Sequence, residues 1–426
     1  MSTAQRSPWA WVPTLYFAQG IPYVMVVVLS TTIYKNLGIS NTEAAFFTSW
    51  IYLPWVIKPL WSPLVELFGR KRQWVTVLQF LIGAALASVA LTIPVAQVLQ
   101  WSLAIFWLIA FASASHDIAA DGYYMLALPQ HSQAAFVGVR STAYRLANIG
   151  CQGGLVYLSG FIEKRTGSFI TAWSAIFCVV GVVFLLLALW HLKVLPRPDA
   201  DRQGPGRSAA HGFMAEFRED FSSYFAKPGI VVTLAFLLLY RFPEAQLLKL
   251  ASPFLLDPVD KGGLGLSNQE VGFAYGTVGL IALTVGGLVG GWIISRIGLK
   301  KALWPLVLAM HVPNVAFLLL AMTHPTSLAV ISAALAVEQF GYGLGFTAYL
   351  MYMIHVAEGE KKTAHYAICT GFMALGMMIP GMWSGWLQDH IGYVPFFAWV
   401  LVATLPSFIM AALIKVPDDF GKKVDA

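Results

Sequence analysis

Long apolar runs dominate this chain, each about 20 residues or more, the length at which a helix crosses the hydrocarbon core of a bilayer. No water reaches the backbone there. Every N–H and C=O must be satisfied within the segment, which a helix does and an open strand does not. Such runs fall near 9–33, 43–64, 74–97, 101–127, 137–162 and 169–194. A hydrophilic stretch, "RPDADRQGPGRSAAHGFMAEFRED", comes next, and six more runs lie near 229–255, 269–295, 301–322, 327–355, 364–388 and 393–415. The pattern predicts an all-α polytopic membrane protein of twelve transmembrane helices. Its expected domains are an N-terminal six-helix bundle over 1–195, a cytoplasmic linker over 196–227 and a C-terminal six-helix bundle over 228–426.

Charge agrees with this reading. Only 11% of residues are charged, against roughly a quarter in a soluble domain. The net charge of +6 could suggest a nucleic-acid partner, but its distribution gives topology instead. With both termini cytoplasmic, the inner loops hold about eighteen of the 27 Lys and Arg, and the outer loops hold Lys35, Lys164, Arg165 and Lys261. No nucleic-acid binding is expected. The start, "MSTAQRSPWAWVPTLYFAQG", has one Arg and no small-residue cleavage site, so no cleaved signal peptide is expected. Cys151, Cys178 and Cys369 all fall within apolar spans, so neither a disulfide framework nor a metal site is implied. There is no G-x-x-x-x-G-K-[ST] to cradle ATP phosphates and no H-E-x-x-H. ATP-driven transport and intramembrane metalloenzyme chemistry are thereby disfavoured, and no cofactor is expected.

The two halves resemble each other. "SGFIEKRTGS" and "SGWLQDHIGY" both read Ser-Gly-aromatic-aliphatic, with Gly160 and Gly385 offset by 225 residues. "SPLVELFGRKR" and "GGWIISRIGLKK" align Gly69 with Gly298 at an offset of 229. Duplicated halves of this kind are how many secondary transporters are built.

Those last two loops resemble the G-x-x-x-D-[RK]-x-G-[RK]-[RK] signature of the major facilitator superfamily. The second copy keeps Gly291, Arg296, Gly298, Lys300 and Lys301, with Ser295 at the acidic position. The first has Ser62 for the opening Gly, Glu66 for the Asp and Leu67 for the base. "YFAQGIPY", "KPLWSPLVE", "SASHDIAADGYY", "GVRSTAYRLANIG" and "GYGLGFTAYLMYM" are in turn similar to stretches of AmpG-type muropeptide permeases. The resemblance implies two pseudo-symmetric six-helix bundles with the first, fourth, seventh and tenth spans lining a cavity. It also implies a proton symporter of the bacterial inner membrane, importing a peptidoglycan-derived anhydro-muropeptide or amino sugar by alternating access. Acetyl-CoA and siderophore carriers of the same fold are the alternatives, and a ligand sensor that transports nothing is a third. The expected partners are a small-molecule substrate of sugar or glycopeptide class, protons and the lipid bilayer. The expected state is a monomer, and no enzyme activity is expected.

Polar groups fall near the midplane of those four spans. Gln19 lies roughly 15 Å into the first, Arg241 roughly 18 Å into the seventh with Glu244 one turn on, and Glu338 roughly 17 Å into the tenth. His116 and Asp117 lie roughly 15 Å from one end of the fourth. Ionisable groups at that depth are costly and mark function by default. Asp117 and Asp121 share a helix face, which Tyr124 continues. By depth, Asp121 is expected to pair with Lys58 or Arg145, leaving Asp117 without a charged partner and available for proton coupling. Asp117, Asp121 and Glu338 are therefore the candidate proton-coupling groups. Lys58, Glu66, Arg70 and Arg145 are expected to form a structural charge network. Arg241 is expected either to neutralise Glu338 or to hold a substrate carboxylate bidentately. The remaining candidate substrate-binding residues are Tyr16, Gln19, Tyr23, His116, Tyr123, Tyr144, Asn148, Gln152, Glu244, Tyr342 and Tyr349. Arg140 is expected to snorkel to the interface. Pro22 is expected to kink the first span.

Overall fold

The computed structural model describes residues 7–30, 33–34, 50–95, 97–201, 213–266 and 268–423. Among these the chain is helical, with no strand. Ten helices are long and apolar enough to cross a membrane: Pro8–Val27, Lys71–Thr92, Val98–Ala127, Phe169–Val194, Ile230–Leu256, Gly272–Ile297, Leu299–Thr323, Leu328–Ala357, Lys362–Ile391 and Tyr393–Leu413. They match the expected spans except the second and the fifth. Part of the second lies outside the described residues. Its remainder is short turns of helix, Leu53–Ile57, Lys58–Trp61 and Ser62–Leu67, each opened by a proline at Pro54, Pro59 or Pro63. Proline suits a first turn but not a helix interior, which breaks this span into pieces. The fifth is helical over Gln130–Ile149, a π-helical turn Gly150–Leu155 and Val156–Thr166. Its arginines and amides make it less apolar than its neighbours. Two spans depart from a straight helix, the first at its expected kink and the seventh where none was expected. After Pro22 the first span widens into a π-helical turn, Val24–Leu29. The seventh breaks outright at Tyr240–Arg241 and restarts at Phe242 with Pro243 in its first turn.

The chain clusters into two compact units. The first comprises Met1–Ala127, Ala143–Phe221 and Gly359–Ile368; the second comprises Leu128–Thr142, Ser222–Glu358 and Cys369–Ala426. The expected division ran strictly in chain order, whereas here two short segments each belong to the other half. Close backbone approach accounts for one of them. In the second unit, a Cβ on Gly138 would sit 2.0 Å from the carbonyl oxygen of Gly287, so only glycine fits. In the first unit the apolar core joins the third, fourth and sixth spans through Ile82, Val89, Phe106, Phe177 and Phe184. In the second unit the eighth and tenth spans cross just as tightly, since a Cβ on Gly286 would lie 2.1 Å from the carbonyl oxygen of Phe340. Contacts between small residues are the usual way helices associate where lipid supplies no hydrophobic drive.

The linker is not featureless. Its described part contains the helix Phe213–Phe225. Lys361 places Nζ 2.7 Å from Glu216, 2.6 Å from Asp220 and 3.3 Å from Glu219, tying that helix down within the first unit. Burial alone would lower the pKa of Lys361, but the carboxylates of Asp220 and Glu216 raise it above the ordinary lysine value.

Candidate functional site

In the first unit the fourth span carries the acidic pair. Asp117 is 7% exposed. Lys58 holds its Nζ 3.5 Å from Oδ2 in a single contact. Gln19 of the first span lies beside the same carboxylate, and Oδ1 has no hydrogen-bond partner among the described residues. One turn on, Asp121 accepts a 3.0 Å hydrogen bond from the Tyr16 hydroxyl. One of the two expected partners of Asp121 is thus corrected: Lys58 goes to Asp117, the carboxylate expected to lack a cation. Depth along a helix places the Cα, whereas a lysine's four-carbon arm carries its charge well away from that level.

The fifth span approaches the first closely. A Cβ on Gly20 would lie 2.5 Å from the Tyr144 carbonyl oxygen. One turn beyond Tyr144, the buried Oδ1 of Asn148 lacks a hydrogen bond among the described residues, as does Oε1 of Gln19. Buried acceptors left this way are costly and usually wait for water or a ligand. Tyr23 packs edge-on against Tyr52 and Trp55, at 5.9 and 5.8 Å between ring centroids, and those two rings stack on each other. The side chains of Glu66 and Gln152 lie outside the described residues. Arg70 is exposed at the start of the third span, Arg145 is half-buried, and Arg140 is buried rather than snorkelling outward.

His116 turns out to face the bundle interior. Its Nε2 lies 3.0 Å from Nε2 of Gln79 on the third span. The other end of that amide, Oε1, lies 2.8 Å from Nδ1 of His191 on the sixth, and Nε2 of His191 lies 3.0 Å from the Thr14 hydroxyl. With the amide in this orientation, Gln79 donates to His116 and accepts from His191. His116, accepting at Nε2, then carries its proton on Nδ1, while His191 donates from Nδ1. An amide fixed between two rings positions the fourth span rather than passing protons along it. Reading polar residues only on cavity spans missed Gln79 and His191. Their depth in otherwise apolar spans was the signal available. Tyr123 is likewise engaged elsewhere, its hydroxyl donating to the Pro196 carbonyl at 2.7 Å.

In the second unit, the restart of the seventh span sets the geometry. Arg241 caps the new helix, and Glu244 falls in its first turn. The guanidinium donates twice to that carboxylate, Nε to Oε2 and a terminal nitrogen to Oε1, both at 3.1 Å. The same terminal nitrogen reaches the Tyr342 hydroxyl at 2.7 Å, and the guanidinium carbon sits 4.7 Å from the Phe346 ring centroid. The expected Arg241–Glu338 neutralisation is therefore corrected: the partner is Glu244, three residues along the same helix. Glu338 instead accepts a 2.8 Å hydrogen bond from the Gln339 amide. Tyr349 is spent on packing, stacked on Tyr240 at 5.1 Å with its hydroxyl donated to the Leu237 carbonyl. Among the described residues no group of three or more His, Cys, Asp or Glu could hold a metal ion.

Many apolar spans with ionisable groups held inside each unit are the build of a multi-pass membrane transporter. The family model of the Major Facilitator Superfamily matches residues 14–379, and this chain belongs to that superfamily of transporters, which are not enzymes. Its twelve-helix fold and its dependence on a small-molecule substrate follow from that membership. The chain is similar to the anhydromuropeptide permease of Escherichia coli (strain K12), at 26% identity over 403 residues, covering 93% of this chain and 77% of that one. Among solved structures it is similar in fold to the E. coli fucose:proton symporter FucP, with a TM-score of 0.68 at 16% identity over 95% of this chain and 98% of that one. The proton:xylose symporter XylE gives 0.67 at 14% identity, covering 97% and 95%.

Proposed function

We propose that this chain is a proton symporter of the bacterial inner membrane. It imports a bulky polar metabolite, an anhydro-muropeptide or amino sugar released from peptidoglycan, as a monomer with both termini in the cytoplasm. The observation that carries the coupling half of this reading is the buried Asp117, whose one ion-pair contact among the described residues is Lys58 at 3.5 Å. Gln19 lies beside it, and Oδ1 has no hydrogen bond among those residues. Protonating that carboxylate removes the attraction to Lys58 and frees two buried groups at once. One proton falling through roughly 150 mV supplies about 3.5 kcal/mol, enough for accumulation of a few hundredfold.

The substrate half rests on Arg241. It is preset by Glu244, and one terminal nitrogen makes no hydrogen bond among the described residues. That suits the lactyl or peptide carboxylate of a muropeptide. The amides of Gln19 and Asn148 and the aromatic group of Tyr23, Tyr52 and Trp55 are chemically suited to hydroxyls and sugar faces. The similarity to the anhydromuropeptide permease is what selects this substrate class.

The test is uptake by proteoliposomes holding the purified protein, with an inward proton gradient and a panel of anhydro-muropeptide, N-acetylmuramic acid, acetyl-CoA and a ferric siderophore. Gradient-dependent accumulation of either of the first two, abolished by a protonophore, is expected. Accumulation of only acetyl-CoA or the siderophore would replace the substrate. Binding without any accumulation would favour a sensor.

A further inference from the structure

Outside the buried pairs, the first unit has a cavity of about 350 Å³ lined by Arg70, Arg72, Gln73, Arg197, Pro198, Asp199 and Asp201. It lies where the third span begins at Lys71 and just past the end of the sixth at Val194. Two of its charged residues are already used to build it. Arg72 donates from Nε to the Leu195 carbonyl at 3.2 Å, and another of its nitrogens donates to the Leu192 carbonyl, clasping the two helix ends together. Asp201 accepts the backbone N–H groups of Lys71 and Arg72 at 2.8 and 3.1 Å. Its carboxylate thus fills the anion-attracting start of the third span, although burial still raises its pKa above the usual carboxylate value.

The cationic lining that remains is not spent. Arg70 and Arg197 are exposed, and neither is in salt-bridge contact with a carboxylate among the described residues. Arg70 is near enough to Asp201 to favour its charged form, and Asp199 lines the same cavity. The three arginines of the lining thus face two carboxylates and leave one net positive charge. Between them Gln73 uses its side-chain oxygen on the Arg70 backbone N–H, which turns its amide nitrogen to other acceptors. Two guanidinium forks and an amide donor around a cavity are the donor set that phosphate oxygens take. The cavity has room for a phosphate group with several waters, since each water takes about 30 Å³.

Its borders are apolar. Phe68, two residues before Arg70, and Leu192, whose carbonyl accepts from the cavity-lining Arg72, are 57% and 40% exposed. At the end of a membrane span, such side chains meet acyl chains. Cationic pocket and greasy rim together match an acidic phospholipid.

We infer that this cavity binds a phosphate-bearing anion through Arg70, Arg197 and Gln73, the phosphodiester headgroup of an acidic membrane lipid being the source its apolar rim favours. The inference is independent of the substrate and coupling assigned above.

Native mass spectrometry of the full chain in detergent tests it, with phosphatidylglycerol, phosphatidylcholine and inorganic phosphate as separate additions. Wild type should retain phosphatidylglycerol over phosphatidylcholine, and Arg70→Gln/Arg197→Gln should weaken that retention by about thirtyfold. Both side chains are exposed and neither clasps a helix, so the double variant should melt at the wild-type temperature, which is checked alongside. Retention of inorganic phosphate alone, lost in the double variant, would keep the site and make its source a free phosphate. Equal retention of phosphatidylglycerol by both proteins, or no preference for any phosphate-bearing anion in wild type, would overturn it.

Discussion

The two units each bury a cation beside a carboxylate, and they do it in opposite ways. In the first, Lys58 and Asp117 come from different spans and meet through one 3.5 Å contact. In the second, Arg241 and Glu244 lie three residues apart on one helix and share two 3.1 Å bonds, with Tyr342 adding a third to the guanidinium. A pair strung across two helices responds to any shift of one against the other and to the loss of its single charge attraction. A pair preset within one turn survives such motion and keeps its fork aimed. On the function proposed above, the first pair would be the one that changes state and the second the one that holds still to receive an anion.

The largest effect should come from breaking the looser pair on one side only. Lys58→Ala leaves Asp117 as an uncompensated buried charge, at a cost of about 3–5 kcal/mol. Thermal unfolding of the detergent-purified protein should show it as a clear drop in Tm. Lys58→Ala/Asp117→Asn should recover most of that loss. A double variant no better than the single would show that the two groups are not coupled. Cys151 in the first unit and Cys369 in the second are buried free thiols, so a thiol-reactive dye on single-cysteine versions reports which unit opens first. The first unit should.

A smaller effect is expected from Glu244→Gln. The amide oxygen can still accept one bond from Arg241, so the loss is that of one charge-assisted bond, about 1.5–3 kcal/mol. Freed of its carboxylate, Arg241 should bind anionic substrate no more weakly than in wild type, which equilibrium binding would check. Weaker binding by about tenfold or more would mean that Glu244 itself contacts substrate. Tyr342→Phe removes one bond to the guanidinium while keeping the ring, and should cost about 1 kcal/mol. A loss as large as that of Lys58→Ala would erase the distinction between a preset and a switchable pair.

The fold was legible because lipid leaves a chain few choices, and ten of the expected spans emerge as long apolar helices. That Asp117, Asp121, Arg241 and Glu338 are buried polar groups was legible, but their pairings were not. Depth along a helix put Asp117, Arg241 and Glu338 at the expected midplane, yet it offered Lys58 to Asp121 rather than to Asp117, and Glu338 rather than Glu244 to Arg241. Depth ignores how far a long side chain travels. It also ignores a helix restart such as the one at Phe242, which brings Glu244 under the guanidinium. His116 shows a second limit. One position from Asp117 is about 100° around the helix, enough to turn the imidazole from the acidic face towards Gln79. A single sequence does not say which face meets which neighbour.

The most direct test of the switchable pair is transport by Asp117→Asn in proteoliposomes, with labelled substrate on both sides of the membrane and a controlled proton gradient. The variant should lose uphill accumulation, its internal and external concentrations becoming equal where wild type reaches a few hundredfold at about 150 mV. It should retain gradient-free exchange at a comparable rate. Accumulation by Asp117→Asn to the wild-type level would contradict the assignment of the driving proton to that carboxylate.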